Sequence, residues 1–470
     1  MNETDDNNPL FPDPHDRLSR LQHTLDRVAS ALARIADGAA SPTISETDWR
    51  DSLSRMDFKQ PREFKAVIDW LVNALSEGTV HMTHPGHLGL FNPKPSVLAE
   101  AGDLIAAAFN PQVCVRSHAP VAVDIERHTI EAVADRAGMP EGSGGHFTSG
   151  GSEANATAVL CALTQAAPTY ADEGVSAFDG TPRIYVSAES HLAWLKIAHQ
   201  CGIGRNAVRL IATDGNGAID IDALRGRVQK DRQDGDVAVL IVATAGTTNA
   251  GMIDSIAGCR DIADSAGCWL HVDAAWGGAI IASDRYQTTA MPLGLADSIT
   301  IDAHKWFATT MGAGMYLTRD PELLAQVFHV QASYMPSNDQ AVDLYVNSMQ
   351  WSRRFIGVRL FVSLAVGGWA AMAQHIDQSI DLANYLASRL ADAHWRIENA
   401  QTLAIVCATP PPDSAPVETI VQRVVDSGTG WVSLAKLEGR PVLRACLTNH
   451  DTTKRHLDAL ATTIVTVAKP

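Results

Sequence analysis

Apolar, β-prone runs recur through the middle of the chain, at residues 183–186, 208–211, 237–242, 269–272 and 298–301. The stretches between them, such as 219–228 and 256–266, carry apolar positions at helical spacing. Strands that are apolar along nearly their whole length and alternate with helices predict a mostly parallel sheet covered on both faces. In such sheets ligands sit at the carboxyl ends of the strands.

The flanks have a different texture. Residues 1 to about 14 are rich in Asn and Asp and contain Pro9, Pro12 and Pro14, so disorder is expected there. From Asp16, the residues Leu18, Leu21, Leu25, Val28, Leu32 and Ile35 form an amphipathic helical stripe whose partner is either the rest of the chain or another subunit. After Arg354 a long helical stretch is predicted through Leu390, then a β-rich segment (403–407, 418–425 and 441–446), then a closing helix from Thr453. Pro410, Pro411 and Pro412 must lie in a turn or loop. The fold class expected is α/β, a large domain with a mostly parallel sheet plus a smaller C-terminal α+β domain. The divisions are 1–80 (N-terminal helical segment), 81–354 (large domain) and 355–470 (small domain).

At 470 residues the chain suits two lobes better than one core. A net charge of -16 disfavours nucleic acid and anionic membranes as partners, which leaves small molecules. The acidic start (Glu3, Asp5, Asp6) is unlike a secretory signal, and the longest apolar candidate, 360–373, is short and broken by Gly367 and Gly368. No membrane span and a cytoplasmic location are therefore expected. Seven scattered cysteines, with no C-x-x-C pair, indicate neither a disulfide framework nor a zinc site. His81, His84 and His87 invite a metal reading. Pro85 and Gly86 break any regular ligand geometry and no nearby Cys, Asp or Glu completes a set, so no metal is expected.

Three stretches carry candidate chemistry. Thr148-Ser149-Gly150-Gly151-Ser152-Glu153-Ala154-Asn155 opens a helical run. Glycines there let a ligand approach the backbone, and free N–H groups at a helix start favour an anion such as phosphate. Taken alone, a plain serine cap explains it as well. His271-Val272-Asp273-Ala274-Ala275 sets a carboxylate at the end of a buried strand, a costly position unless it meets a cation or a donor. Alone it reads as an acid capping the next turn. Lys305, 32 residues further on, follows another strand and lies between His304 and Trp306. A lysine near cationic or apolar neighbours can lose its proton and form a Schiff base, although a lone one is more often a surface residue with its stem packed on an aromatic ring. The three together, phosphate turn, strand-end acid and lysine, match the needs of pyridoxal phosphate: an anion site, an acid for the pyridinium nitrogen and an amine for the aldehyde.

At these residues the sequence resembles the group II pyridoxal-phosphate-dependent decarboxylases, from about His84 to Thr453. Thr148 to Asn155, His271 to Ala275 and His304-Lys305-Trp306 carry the resemblance most specifically, supported by Arg353-Arg354-Phe355, Leu443-Arg444 and Thr452-Thr453. It implies fold type I and assigns Lys305 to the cofactor's aldehyde, Asp273 to its ring nitrogen, and Gly151 with Ser152 to its phosphate. His191 would stack on the ring, Thr248 and Ala275 would be neighbouring contacts, and His304 would sit beside the lysine. Tyr334 lies near the family's mobile-loop tyrosine, which returns a proton to Cα. Arg116 and His118 fall where the family supplies substrate-side residues, often from the neighbouring subunit, so a homodimer with shared sites is expected.

Where aromatic-specific members carry bulky aromatics, this chain has Gly86-His87-Leu88-Gly89; Phe91 is aromatic, but the following Asn92 and Lys94 are polar, and Asp451 stands where relatives often have an arginine. With His87, Arg116 and His118 on the substrate side, the expected activity is decarboxylation of a polar or acidic L-amino acid. The alternatives are carbon-carbon cleavage or transamination on the same fold, or a catalytically silent binding protein.

Overall fold

The computed structural model describes residues 8–42, 46–286, 291–330, 343–399 and 403–470. Seven strands form the large sheet: β1 (Gly144–Thr148), β2 (Pro182–Ser187), β3 (Val208–Ile211), β4 (Val237–Thr244), β5 (Trp269–Asp273), β6 (Ser298–Asp302) and β7 (Gly314–Thr318). Their spatial order is β1-β7-β6-β5-β4-β2-β3. Pairing from β3 through β2, β4 and β5 to β6 is parallel, and only β7 runs against its neighbours β6 and β1. β4 and β5 are buried over almost their whole length; β4 is apolar nearly throughout, whereas β5 carries His271 and Asp273 into the interior. The five predicted strands lie where the sequence placed them. β1 and β7 were not foreseen, because Gly144-Gly145-His146-Phe147-Thr148 and Gly314-Met315-Tyr316-Leu317-Thr318 mix glycine and polar residues into short runs.

The second sheet is antiparallel, in the order β10-β11-β9-β8, built from β8 (Arg396–Ile397), β9 (Ile405–Thr409), β10 (Ser433–Leu437) and β11 (Arg440–Cys446). One expectation fails here. Residues 418–425 were expected in strand, but Val417–Asp426 is a helix. Its β-branched residues suggest a strand, yet Val417, Ile420 and Val424 are the buried ones, a helical spacing that packing enforces over propensity. The long helix Val358–Asp392 joins the two sheets and breaks at Gly368, whose φ of +63° suits glycine. Residues 86–91 pair with the smaller sheet: Leu88 N–H donates to the Trp431 carbonyl (2.8 Å) and Cys446 N–H to the Leu88 carbonyl (2.6 Å). We therefore propose that 81–91, expected in the large domain, belongs structurally with the C-terminal unit.

The first helix is Pro14–Asp37, with Asp13 accepting from the amides of His15 and Asp16. Residues 1–7, expected to be disordered, lie outside the described residues. One side of this helix meets helix Phe64–Gly78 through Arg27 and Asp69 (2.7 Å). Leu18 and Leu25 stay 67% and 61% exposed, so the stripe is only partly covered within the chain.

A buried ion pair ties the helix Pro120–Arg136 to β1. Arg353 Nη2 lies 3.0 Å from Glu126 Oε2 and donates to the Phe147 carbonyl, while Glu126 Oε1 accepts from the Gly357 amide. Removing one partner strands the other charge, so Glu126→Ala is expected to cost about 3–5 kcal/mol, read as a lower urea midpoint. An unchanged midpoint would contradict this.

Burial pushes His87, His146, His271 and His375 down to about 4 from the ordinary 6.5. Between those values the unfolded chain binds protons that the native chain refuses, so stability is full above about pH 6.5 and falls as pH drops toward 4. Urea midpoints measured from pH 7.5 to 5 should fall, and His146→Gln should flatten the slope. A slope unchanged in the variant would exclude His146 as a contributor.

Candidate active site

The carboxyl ends of β4, β5 and β6, together with the turn after β1, enclose a cavity of ≈ 460 Å³. The turn leads into helix Gly151–Ala166, which has no side-chain cap. The first helix amides taken up within the turn are those of Glu153 and Ala154, both bonded to the Gly150 carbonyl, which leaves the Gly151 and Ser152 N–H groups for a ligand at the cavity wall. Glu153 folds back to accept from the amide and hydroxyl of Ser149 (2.8 and 2.6 Å), which stiffens the turn. Close approach also matters below it. A Cβ on Gly314 of β7 would stand 2.4 Å from Thr148 Oγ1 and 2.7 Å from Gly150 Cα, so only glycine lets β7 pass there.

Asp273 ends β5, 5% exposed and facing the same cavity. Its Oδ2 accepts from Asn155 Nδ2 (2.9 Å) and its Oδ1 from the Ala275 amide (3.2 Å). Among the described residues no lysine or arginine pairs with it, so this carboxylate is buried with donors but without a cation. Ala275 forms the adjoining wall.

Lys305 lies one turn beyond β6 and lines the cavity, its Nζ paired with Asp302 Oδ2 at 2.9 Å. The other oxygen, Asp302 Oδ1, is buried with no partner. Beside the lysine, His304 Nδ1 lies 3.0 Å from the Ala313 carbonyl and 3.2 Å from its amide, which anchors the ring. Trp306, a possible packing surface for the lysine stem, is instead fully buried and tilted against Trp276. His191 follows β2 and reaches the cavity, its Nδ1 accepting from the Ala193 amide (3.1 Å), which leaves the ring proton on Nε2. Thr248, after β4, completes the predicted set.

The structure thus gathers Gly151, Ser152, His191, Thr248, Asp273, Ala275, His304 and Lys305 around one cavity. Three others stand apart. His87 is 2% exposed, stacked on Trp431 with ring centroids 5.0 Å apart, and does not line the cavity; its place is a packing role, because the 86–91 segment turns it toward the smaller sheet. Arg116 holds Asp124 through two bonds (2.7 and 3.1 Å) and His118 is exposed, both away from this chain's cavity. Tyr334 lies outside the described residues. Asp302, Asn155 and Trp276, to which the sequence alone gave no role, also line the cavity, as does Phe91. Asp302, three residues before the lysine, was the most readable of them.

These features fit pyridoxal phosphate. Among the described residues the buried acid has no cation, the helix start is uncapped and open to an anion, and Gly151 leaves the wall close: a Cβ there would stand 3.0 Å from Asp302 Oδ2 and 3.3 Å from the Ala275 methyl. Fold and site together define a fold type I enzyme. The chain matches the pyridoxal-dependent decarboxylase conserved domain over residues 51–408 and belongs to that family. It is 27% identical over 447 residues to the aromatic-L-amino-acid decarboxylase of Bacillus atrophaeus, covering 92% of this chain and 91% of that one. It is 30% identical over 290 residues to an acidic amino acid decarboxylase of Bos taurus, covering 60% and 55%. A crystal structure of Oryza sativa TDC with PLP and tryptamine superposes with a TM-score of 0.91 at 22% identity, covering 98% of this chain and all of that one. The protein is a carboxy-lyase that uses pyridoxal phosphate on an amino acid.

The lysine assignment has a direct test. Wild-type protein given pyridoxal phosphate should turn yellow, and borohydride should fix the cofactor to the Lys305 peptide, as seen by mass spectrometry. Lys305→Ala should yield no fixed adduct in this cavity, and an adduct that survives would contradict the assignment.

Proposed function

We propose that this chain decarboxylates a polar or acidic L-amino acid as a cytoplasmic homodimer with shared sites. The observation that carries the site assignment is the meeting of Asp273, Lys305 and the uncapped Gly151 helix start on one cavity. When bound, pyridoxal phosphate supplies an electron sink for the pair left when the Cα–carboxylate bond breaks. The residues of the chain do the rest. The Gly151 and Ser152 amides would hold the phosphate, Asp273 would accept from the ring nitrogen, and His191 would lie against the ring. Lys305 would supply the amine for the cofactor's aldehyde, and Asp302, 2.9 Å from that amine, holds it in place. Asn92 Nδ2 contacts the His304 carbonyl (3.3 Å), tying the substrate side to the lysine segment. Tyr334 returns a proton to Cα.

The polar or acidic preference rests on residues from a second copy. In this chain Lys94 is engaged by Asp451 (2.8 Å), and Arg116 and His118 stand on the surface outside the cavity. Arg116 and His118 would enter the partner's site. Exposed Leu18, Leu25, Leu104 and Phe109 provide apolar area for such a dimer, and seven free thiols suit a reducing compartment. A specific observation favours a second reading. Phe91 and Trp276 stack at 4.3 Å on the cavity wall, a surface that would also receive an aromatic side chain.

Carbon dioxide release from glutamate and aspartate should exceed that from aromatic amino acids by about tenfold or more in kcat/KM, and the reverse order would establish the aromatic reading. Mixed dimers of Lys305→Ala and Arg116→Ala subunits should regain activity that neither parent has. No regain would place Arg116 outside the partner's site.

A further inference from the structure

Asp273 is the last member of a line of buried polar groups. Trp269, His271 and Asp273 alternate along β5 and so share one face of the sheet. Ser298 of β6 pairs in register with His271, and Asn155 comes from helix Gly151–Ala166. Trp269 Nε1 donates to Ser298 Oγ at 2.8 Å, and Ser298 Oγ lies 2.8 Å from His271 Nδ1. His271 Nε2 lies 3.1 Å from Asn155 Oδ1, and Asn155 Nδ2 donates to Asp273 Oδ2 at 2.9 Å. All five side chains are at most 5% exposed.

The chemistry of the ends gives the line one direction. An indole N–H only donates, so Ser298 Oγ accepts from Trp269; the carboxylate end fixes the rest, because Asn155 turns its N–H to Asp273 and its Oδ1 to His271 Nε2, which leaves His271 Nδ1 to accept from Ser298. The neutral ring then carries its proton on Nε2, which donates to Asn155 Oδ1, and this sets the amide with its N–H toward Asp273. Thr300 Oγ1, 3.2 Å from Nε2, serves as a second acceptor. At the far end an ionised carboxylate only accepts. Reversing the line requires a proton on Asp273. Burial keeps His271 neutral, its value pushed down to about 4, so the ring does not gain a second proton at ordinary pH.

We propose that His271, acting through Asn155, is a positioning residue that holds Asp273 as an ionised acceptor aimed at the cofactor's ring nitrogen. The proposal rests on the assignment of Asp273 to that nitrogen. It goes beyond that assignment by naming what orients the carboxylate in a buried place where, among the described residues, no lysine or arginine pairs with it. Without His271 the Asn155 amide is free to turn away from Asp273, so the bond at stake is the charged one from Asn155 to the carboxylate, worth about a ten- to hundredfold effect on binding.

The test compares apoenzyme affinity, by absorbance titration, for pyridoxal phosphate and for its deaza analogue, in which a C–H replaces the ring nitrogen. Wild-type should prefer the natural cofactor. His271→Leu should lose roughly ten- to hundredfold in affinity for pyridoxal phosphate while binding the deaza analogue as before. His271→Gln, which puts an amide N–H near the Nε2 position, should restore most of the preference. Equal losses for both ligands, or a preference that persists in His271→Leu, would overturn the proposal. If wild-type shows no preference, the assignment of Asp273 itself falls, a different outcome from either. Proton–nitrogen correlation spectra of wild-type apoprotein give a check that needs no variant: the proposal requires the His271 proton on Nε2, and a proton on Nδ1 overturns it.

Discussion

A carboxylate held out of water without a cation is the constraint on which this site depends. Asp273 sits at the end of a fully buried strand with two hydrogen-bond donors and, among the described residues, no lysine or arginine paired with it, an arrangement that costs free energy until a cation arrives. A protonated heterocycle such as that of pyridoxal phosphate would supply that charge. The other needs of the cavity follow the same logic: the uncapped Gly151 helix start calls for an anion, and Lys305, provisionally matched to Asp302, is an amine within reach of a carbonyl. The unfilled electrostatic demands together describe the cofactor.

The parallel sheet makes this possible. Parallel pairing from β4 to β6 brings the ends of three strands to one edge, so that Asp273 and Lys305, far apart in sequence, face one cavity. The antiparallel β7 then passes under the phosphate turn, where Gly314 clears Thr148 and Gly150. Packing on this scaffold is dense, and several buried histidines are kept neutral by it. Among them His271 serves the site while His87 serves the interior, although both are buried imidazoles.

Much of this was legible beforehand, for reasons of period and of motif. Continuous apolar strands such as Val237–Thr244 announce themselves, and so does a lysine set after one. The helix Val417–Asp426 did not, because its β-branched residues point one way and its burial spacing the other. β1 and β7 were hidden by glycines whose purpose is close backbone approach, a tertiary fact. At the site, Asp273 and Lys305 were visible from the sequence, but Asp302, the carboxylate paired with the lysine, was not, and Asn155 and His271 act through a neighbour and became legible only once helix and strand were in contact. His87 was drawn toward the substrate by its place among glycines, while its stacking on Trp431 depends on residues more than three hundred positions away.

The most direct measurement is a crystal structure of the protein grown with pyridoxal phosphate. The ring nitrogen should lie within hydrogen-bond distance of Asp273, the phosphate on the Gly151 and Ser152 amides, and the aldehyde carbon bonded to Lys305. A cofactor bound elsewhere, or bound here with its ring nitrogen turned away from Asp273, would contradict the central claim.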